Sequence, residues 1–416
     1  MTRASPPHGS EDALAGLRVL DLSGRWGNYC GKLFADLGAD VILIEPPRGA
    51  PLRDVGPFVD DRHSPDHSIP FLYHNTNKRS LALDLATKAG QKTLRRLVET
   101  ADLLIETEAP GVMAARGLAA QDLRQIRPSL VHTSITPFGR TGPLAHHAAD
   151  DLTLMAMGGL LTLAGYPDQP PLVAYGEQAY GAASLYAAVA SLMAVYRAEA
   201  TGIGETIDVS IQESVAMGLE NAAQVFDLQG IVRRREAGTT QRAGSGLYPC
   251  RDGYVYMLAG GIGETRFWSN FVDWLADEKA DGVEQFRDDT WLDLKFLMSA
   301  EGKARFSAIF DPFALPRTKA ELYAGASRWR VPMAPVANPS DVLASPQLRH
   351  RGFFVDVAHP ALERDITLPG APYKLSDSPW RIRRPAPRLG EHTAEILREI
   401  GLDTNMIQNM EAEHVA

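Results

Sequence analysis

The chain has 416 residues, 45% apolar and 22% charged, with a net charge of −9; this is the make-up of a globular protein with more chain than one core needs. The acids are spread out, which argues against a nucleic-acid surface, and no apolar run reaches about 18 residues, so no membrane partner is expected. The polar start MTRASPPHGSEDAL lacks a signal core, and the only cysteines, Cys30 and Cys250, have no metal spacing and make no disulfide framework; a cytoplasmic protein is expected.

In chain order, Arg18–Leu22 reads as a strand, 29–37 as a helix stopped by Gly38, and Asp40–Glu45 as a second strand, together a parallel βαβ unit. Gly24, Gly27 and Gly31 follow the first strand. Two residues separate the first pair and three the second, which is not the dinucleotide spacing; close packing and a tight turn explain the glycines better. Strands at 80–83, Leu103–Glu106 and 130–136 alternate with helices at 89–99 and 119–125, giving an α/β domain with a mostly parallel sheet. A Gly/Pro loop then leads into a helix, and an alanine-rich helix at 181–200 ends at TGIGE. A strand at 207–211 and helical sequence at 212–229 follow. From 230 to 330 the texture changes: a glycine loop at 242–246, a strand at 254–258, then helices rich in Trp, Phe and Asp. The Pro-rich stretch 335–392 shows strand signals only at 353–357 and Tyr373. The domains expected are a large one begun by 14–229, a small one at 230–330, and a return segment, 331–416, that completes the first.

Glu177, in AYGEQAYGAASLYAAV, is the sharpest candidate. A lone carboxylate among small residues at a helix start is favoured by the helix dipole, and a partly desolvated one can act as a nucleophile. It can equally be a first-turn residue that merely supports its helix. Asp150 and Asp151 open the preceding helix and read as N-caps. His146 and His147 have no third ligand spaced for zinc. Lys78 and Arg79, just before a strand, can bind phosphates or sit in a solvated turn. FGRTGP, with Arg140, and RAGSGLY, with Gly244 and Gly246, are glycine loops that close over a substrate or simply turn. G-x-S-x-G, Walker and H-E-x-x-H motifs are absent, so serine-hydrolase, P-loop and zincin chemistry is disfavoured.

The motifs LAGLRVLDLS, LFADLGADVILIEPP, NTNKRSLALDL, ADLLIE with APGV, RPSLVHTSITPFGRTGP, TGIGETIDVSIQES and PAPRLGEHTAEIL resemble the family III CoA-transferases and the related 2-methylacyl-CoA racemases, from about residue 14 to 392. The resemblance implies a Rossmann-like large domain built from both chain ends, a smaller α+β domain between them, and a homodimer of interlocked, ring-shaped subunits. It implies acyl-CoA and a small carboxylic acid as partners, coenzyme A as substrate, and no permanently bound cofactor or metal. The family's catalytic carboxylate, an aspartate, falls on Glu177, which would carry first the acyl group and then CoA. Gly24, Arg25, Trp26, Lys78, Arg79 and Thr107 fall on positions expected to bind CoA. Arg140, Asp150, Gly244 and Gly246 are expected at the substrate, the two glycines in a mobile shielding loop. Three departures stand out: glutamate for aspartate, Thr107 and Glu108 where an Asn–aromatic pair is usual, and Pro46 where a base is common, with Arg48 nearby. The racemase branch would need a histidine where Asp150 stands, so α-proton transfer between Asp150 and Glu177 is an alternative. A ligand-binding member without CoA transfer is another.

Overall fold

The computed structural model describes residues 12–235, 242–260, 265–413 and 415–416. They form two compact units. One holds the described chain up to Leu160, Val173–Gln224 and Gln347–Ala416; the other holds Leu161–Leu172 and Val225–Pro346. The second unit is thus wider than 230–330, and it takes a short stretch from ahead of the alanine-rich helix.

The first unit is built on a six-stranded sheet of β1 (Arg18–Leu22), β2 (Asp40–Glu45), β3 (Arg79–Ala82), β4 (Leu103–Glu106), β5 (Val131–Thr136) and β6 (Thr206–Ser210). All neighbours run parallel, in the order β3-β2-β1-β4-β5-β6. Every residue of β4 and β5 is buried. That is why β4, LLIE, reads as an apolar run rather than an alternating one, whereas β5, VHTSIT, buries His132, Thr133, Ser134 and Thr136 as well. The chain leaves β1 in one direction for β2 and β3, then returns to β4 on the other side. The reversal opens a crevice beyond the carboxyl ends of β1 and β4.

Helix α1 (Asn28–Asp36) joins β1 to β2, and α2 (Lys88–Val98) joins β3 to β4. Between β5 and β6 lie α3 (Asp151–Met157) and the 24-residue α4 (Gln178–Thr201). Ala179, Ala183 and Ala187 are fully buried along α4, and their small side chains let it lie close against α1 and β5. Thr133 and Ser191 share a 2.6 Å hydroxyl hydrogen bond there. By length and composition α4 could cross a membrane, an outcome the sequence reading did not expect, but the alanine face is inside the protein. The helix read at 212–229 is broken: Ile211–Ala216 gives way to a 3₁₀ turn at Met217–Leu219, and Glu220 takes φ 53°. Gly218, a poor helix former, sits at the break.

In the second unit, β7 (Ser245–Cys250), β8 (Gly253–Leu258) and β9 (Met333–Pro335) form an antiparallel sheet. Helix α6 (Ala300–Ala314) packs on β7 and α7 (Lys319–Trp329) on β8 and β9, with α5 (Thr265–Asp277) against α7. The core is aromatic, with Phe271, Trp274, Phe286, Trp291, Phe306 and Phe310 buried together.

The returning chain makes a hairpin of β10 (Phe354–His359) and β11 (Arg364–Pro369); Tyr373, expected in a strand, lies in a bend. It then caps the exposed edge of β3. His392 N–H donates to Ser80 O (3.0 Å), and Thr393 Oγ1 accepts from Ala82 N–H (3.1 Å). Helix α8 (Thr393–Glu399) puts Ile396 and Leu397 into one core with Leu94 and Leu97 of α2. Covering an edge strand in this way removes a site of unwanted pairing.

Candidate active site

The crevice is closed below by buried ions. Asp21, near the end of β1, is fully buried and accepts hydrogen bonds from Lys78 Nζ (2.7 Å) and Ser23 N–H (3.0 Å). Lys78 also donates to Asn28 O (2.8 Å) and Asn75 Oδ1 (2.9 Å). Its three protons are therefore spent on three acceptors, and none remains for a phosphate. Arg79 is likewise committed: it donates to Asp40 from Nε and Nη2 and to Glu395 and Glu399 from Nη1, tying β3 to α8. Lys78, just ahead of β3, and Arg79, at its start, are expected from sequence at the CoA phosphates; here both are spent on internal acceptors because their side chains turn in against buried or edge carboxylates rather than out from a solvated turn. Gly31 is the close approach of α1 to this cluster, since a Cβ there would overlap Asp21 Oδ2.

Above the ions, the loop after β1 meets the loop after β4. Gly24 N–H donates to Thr107 Oγ1 at 2.7 Å. A Cβ at Gly27 would sit 2.7 Å from Ser23 Cβ and 3.0 Å from Thr107 Cγ2, so only glycine fits that approach. Trp26 docks the loop on α4: its carbonyl accepts from Ser184 Oγ (3.1 Å), and its ring lies 6.3 Å from that of Tyr180. Thr107 joins the two loops. Glu108, beside it, has its charge met by Arg116 at 2.7 Å.

Glu177 sits at the N-cap position of α4 behind Gly176, whose φ of 83° makes the turn. Its carboxylate makes no cap bond. Instead Asp151 Oδ1 accepts from Ala179 N–H at 2.9 Å, which satisfies the helix end from outside. Asp150 caps its own helix, accepting from Thr153 N–H (2.8 Å) and Thr153 Oγ1 (2.6 Å). Glu177 is left to Arg25, whose Nε and Nη2 both contact Oε1. The pair is half-open, with side-chain exposures of 44% for Arg25 and 22% for Glu177. Arg25 also acts through space on Asp150 and Asp151. Burial pushes the Asp151 carboxyl up, whereas the Thr153 bonds hold that of Asp150 down. Burial raises the Tyr180 phenol to about 12, keeping it protonated.

Arg140 stands at the ends of β4 and β5. Its Nη1 donates to Glu106 Oε1 (2.8 Å) and Ser134 Oγ (2.9 Å). Glu106 is fully buried. Burial alone would raise its carboxyl, but His132, 3.6 Å away, and Ser134 outweigh it and hold it below the usual range. Arg140 thus answers a buried carboxylate and is not bonded to Glu177. Gly244 and Gly246 belong to the second unit. Gly244 is buried at φ 76°, donates to Tyr248 Oη (2.9 Å) and accepts from Ala259 N–H (2.7 Å). Gly246 is part of β7, opposite Met257. At these two positions the expected mobile loop is a tied turn entering a strand; residues 236–241 before it lie outside the described residues.

The sequence reading treated Asp151 only as a cap for α3, and Arg25 only as a CoA contact. Their convergence on the start of α4 has no local signal, because 152 positions separate Arg25 from Glu177 and 28 separate Asp151 from Ala179. A separate open groove of about 380 Å³ is lined by Lys88, Lys92, Arg95 and Arg116, between α2 and the segment after β4. Among the described residues no cluster of His, Cys, Asp and Glu is arranged to hold a metal.

Comparison with known proteins bears on this site. Residues 14–393 match the model of CoA-transferase family III. The chain is 44% identical over 399 residues to the succinyl-CoA:(R)-benzylsuccinate CoA-transferase subunit BbsE of Thauera aromatica, covering 94% of this chain and 95% of that one. It is 31% identical to succinate–glutarate CoA-transferase of Agrobacterium fabrum, covering 93% and 95%. Among solved structures, a CAIB/BAIF family protein from Brucella suis superposes with a TM-score of 0.82 at 28% identity, covering 94% of this chain and 99% of that one.

Proposed function

The chain belongs to CoA-transferase family III and moves CoA between an acyl-CoA and a free carboxylic acid; we propose that Glu177 is the group that carries it. The observation behind this is a half-buried carboxylate at the crevice of the parallel sheet, released from helix capping by Asp151. Arg25 grips Oε1, while Oε2 accepts no hydrogen bond among the described residues. Oε2 therefore attacks the thioester carbonyl: a C–O bond forms, the C–S bond breaks, and CoA leaves as thiolate. The thiolate attacks the Glu177 carbonyl of the mixed anhydride and expels the first acid as its carboxylate. The acceptor carboxylate then attacks the glutamyl thioester, thiolate leaves again, and its return to the acceptor carbonyl frees Glu177. The substrates we propose are dicarboxylic acids and their CoA thioesters, following the succinyl, benzylsuccinyl and glutaryl groups in the relatives' names. With Lys78 and Arg79 committed inside, Lys88, Lys92 and Arg95 of the basic groove, with exposed Arg48, are the set we propose for the CoA phosphates; Arg116 at the groove's edge is already paired with Glu108.

The test is chemical. Incubation with succinyl-CoA, quenching with hydroxylamine and peptide mapping should yield a hydroxamate at Glu177, and borohydride should yield the alcohol. An unmodified Glu177 peptide under turnover overturns the assignment.

A second reading has its own support. The carboxylate is already bonded by Arg25, and the relative at 44% identity is named as a subunit. In that reading a different chain supplies the nucleophile and Glu177 is never acylated. For assembly we propose a dimer with a second copy. Its support is a stripe of large apolar side chains on α4, with Tyr186, Val189, Met193 and Tyr196 at 47–76% exposure, more than an isolated surface helix usually shows. Light scattering of the purified chain distinguishes dimer from monomer.

A further inference from the structure

We propose that Arg25 changes partners during turnover, holding Glu177 in the resting enzyme and the remote carboxylate of a dicarboxylic substrate once Glu177 is acylated. This rests on Glu177 as the carrier. In the resting state one negative charge on Glu177 meets one positive charge on Arg25. When Oε2 bonds to the acyl carbon and the thiolate departs, the Glu177 side chain becomes neutral, and it stays neutral as the CoA thioester. Arg25 then keeps a full charge with no bonded anion. Asp150 and Asp151 are held to helix ends through their Oδ1 atoms and act on Arg25 only through space; among the described residues neither is bonded to it. The planar guanidinium fork suits a carboxylate. A four-carbon diacid brings one tethered to the reacting carbonyl; a monoacid does not.

The other cations near the sheet ends cannot take this role. Lys78 is spent on Asp21, Asn28 and Asn75, Arg79 on Asp40, Glu395 and Glu399, and Arg140 on Glu106. Arg25 is more open than any of these, and among the described residues the one side chain bonded to it is the one the reaction neutralises. Exposed ion pairs are weak, so the exchange asks little.

The probes are succinyl-CoA and butyryl-CoA, which differ in the remote carboxylate. The readout is the rate of hydroxylamine-trapped label on Glu177 in the wild type, Arg25→Gln and Arg25→Lys, each checked for native unfolding. The wild type should label faster with succinyl-CoA by about 10- to 100-fold, the range for losing a hydrogen bond to a charged group. In Arg25→Gln the two probes should differ by less than about threefold, and Arg25→Lys should fall between. Equal labelling in the wild type, or an undiminished preference in Arg25→Gln, overturns the partner exchange while Glu177 stands as carrier. No label on Glu177 from either probe overturns both, through the failure of the carrier assignment.

Discussion

Two ion pairs flank the end of β1, and they share little beyond joining one acid to one base. Asp21–Lys78 lies under the crevice with both side chains wholly buried; Arg25–Glu177 lies at its rim, with side-chain exposures of 44% and 22%. The inner pair is surrounded by further donors and acceptors, so that every Lys78 proton is used. The outer pair leaves one carboxylate oxygen unbonded among the described residues. Burial makes an ion pair costly to break and so fixes it as scaffold. Partial exposure makes it cheap to exchange and so leaves it free for chemistry. Charge alone does not say which role a residue plays.

The comparison is sharpened most by Glu177→Gln. Amide for carboxylate keeps the shape and removes the nucleophile. Turnover should fall by at least about 10⁴-fold, equivalent to about 5.5 kcal/mol in the barrier. Unfolding free energy in urea should change by less than about 1 kcal/mol, because a half-exposed pair contributes little. A large stability loss with retained turnover would reverse the roles assigned to the two pairs.

Lys78→Met tests the other side. It strands a buried carboxylate and should cost about 3–5 kcal/mol in urea unfolding. Adding Asp21→Asn should recover part of that, since the two residues share one network. The KM for acyl-CoA of the folded fraction should not move. A selective rise in KM at unchanged stability would return Lys78 to the phosphate site.

Much of the sheet was legible because buried parallel strands write themselves as apolar runs. VLDL, DVILIE and LLIE gave β1, β2 and β4 at the ends the structure shows. β11, RDITLP, escaped because it is a half-exposed hairpin strand with two charges at its start. β7, SGLYPC, escaped because glycine and proline masked it as a loop. At the site, sequence located Glu177 through its helix start and the family likeness. It could not show that Lys78 turns inward to Asp21, 57 positions away, or that Arg79 reaches Glu395 and Glu399, 316 and 320 positions away. Before the fold is known, a strand-edge cation facing a buried acid and one facing a ligand look the same.

A smaller effect concerns the cations that replace Lys78 and Arg79 in the CoA assignment. Lys92→Glu with Arg95→Glu reverses two charges in the groove. The KM for acyl-CoA should rise about tenfold at low salt, and the effect should shrink as ionic strength rises, as expected of solvent-exposed charges. Trapping at saturating succinyl-CoA should be unchanged, because the groove is not where the thioester reacts. A tenfold loss in trapping at saturation would instead tie the groove to the chemical step.

The smallest expected effect lies at Asp151, which stands between the two regimes: half-buried, yet bonded to the end of α4. Burial raises its carboxyl above the ordinary aspartate value of 3.8. Below pH 3.8 the folded and unfolded chains both hold the proton, and the group contributes nothing. As pH climbs from there to the raised folded value, the unfolded chain gives up its proton first, so stability falls; above that window the penalty is constant. Asp151→Asn lacks the titration, yet its Oδ1 can still accept from Ala179 N–H. The variant's stability relative to wild type should therefore rise with pH across that window and then level off. The gain should stay below about 1 kcal/mol, since solvent screens a half-exposed group. Urea unfolding from pH 3.5 to 7 reads it directly. A relative stability that falls with pH would mean that the carboxylate is favoured by the helix end more than it is disfavoured by burial. Asp151 would then belong with the scaffold ions.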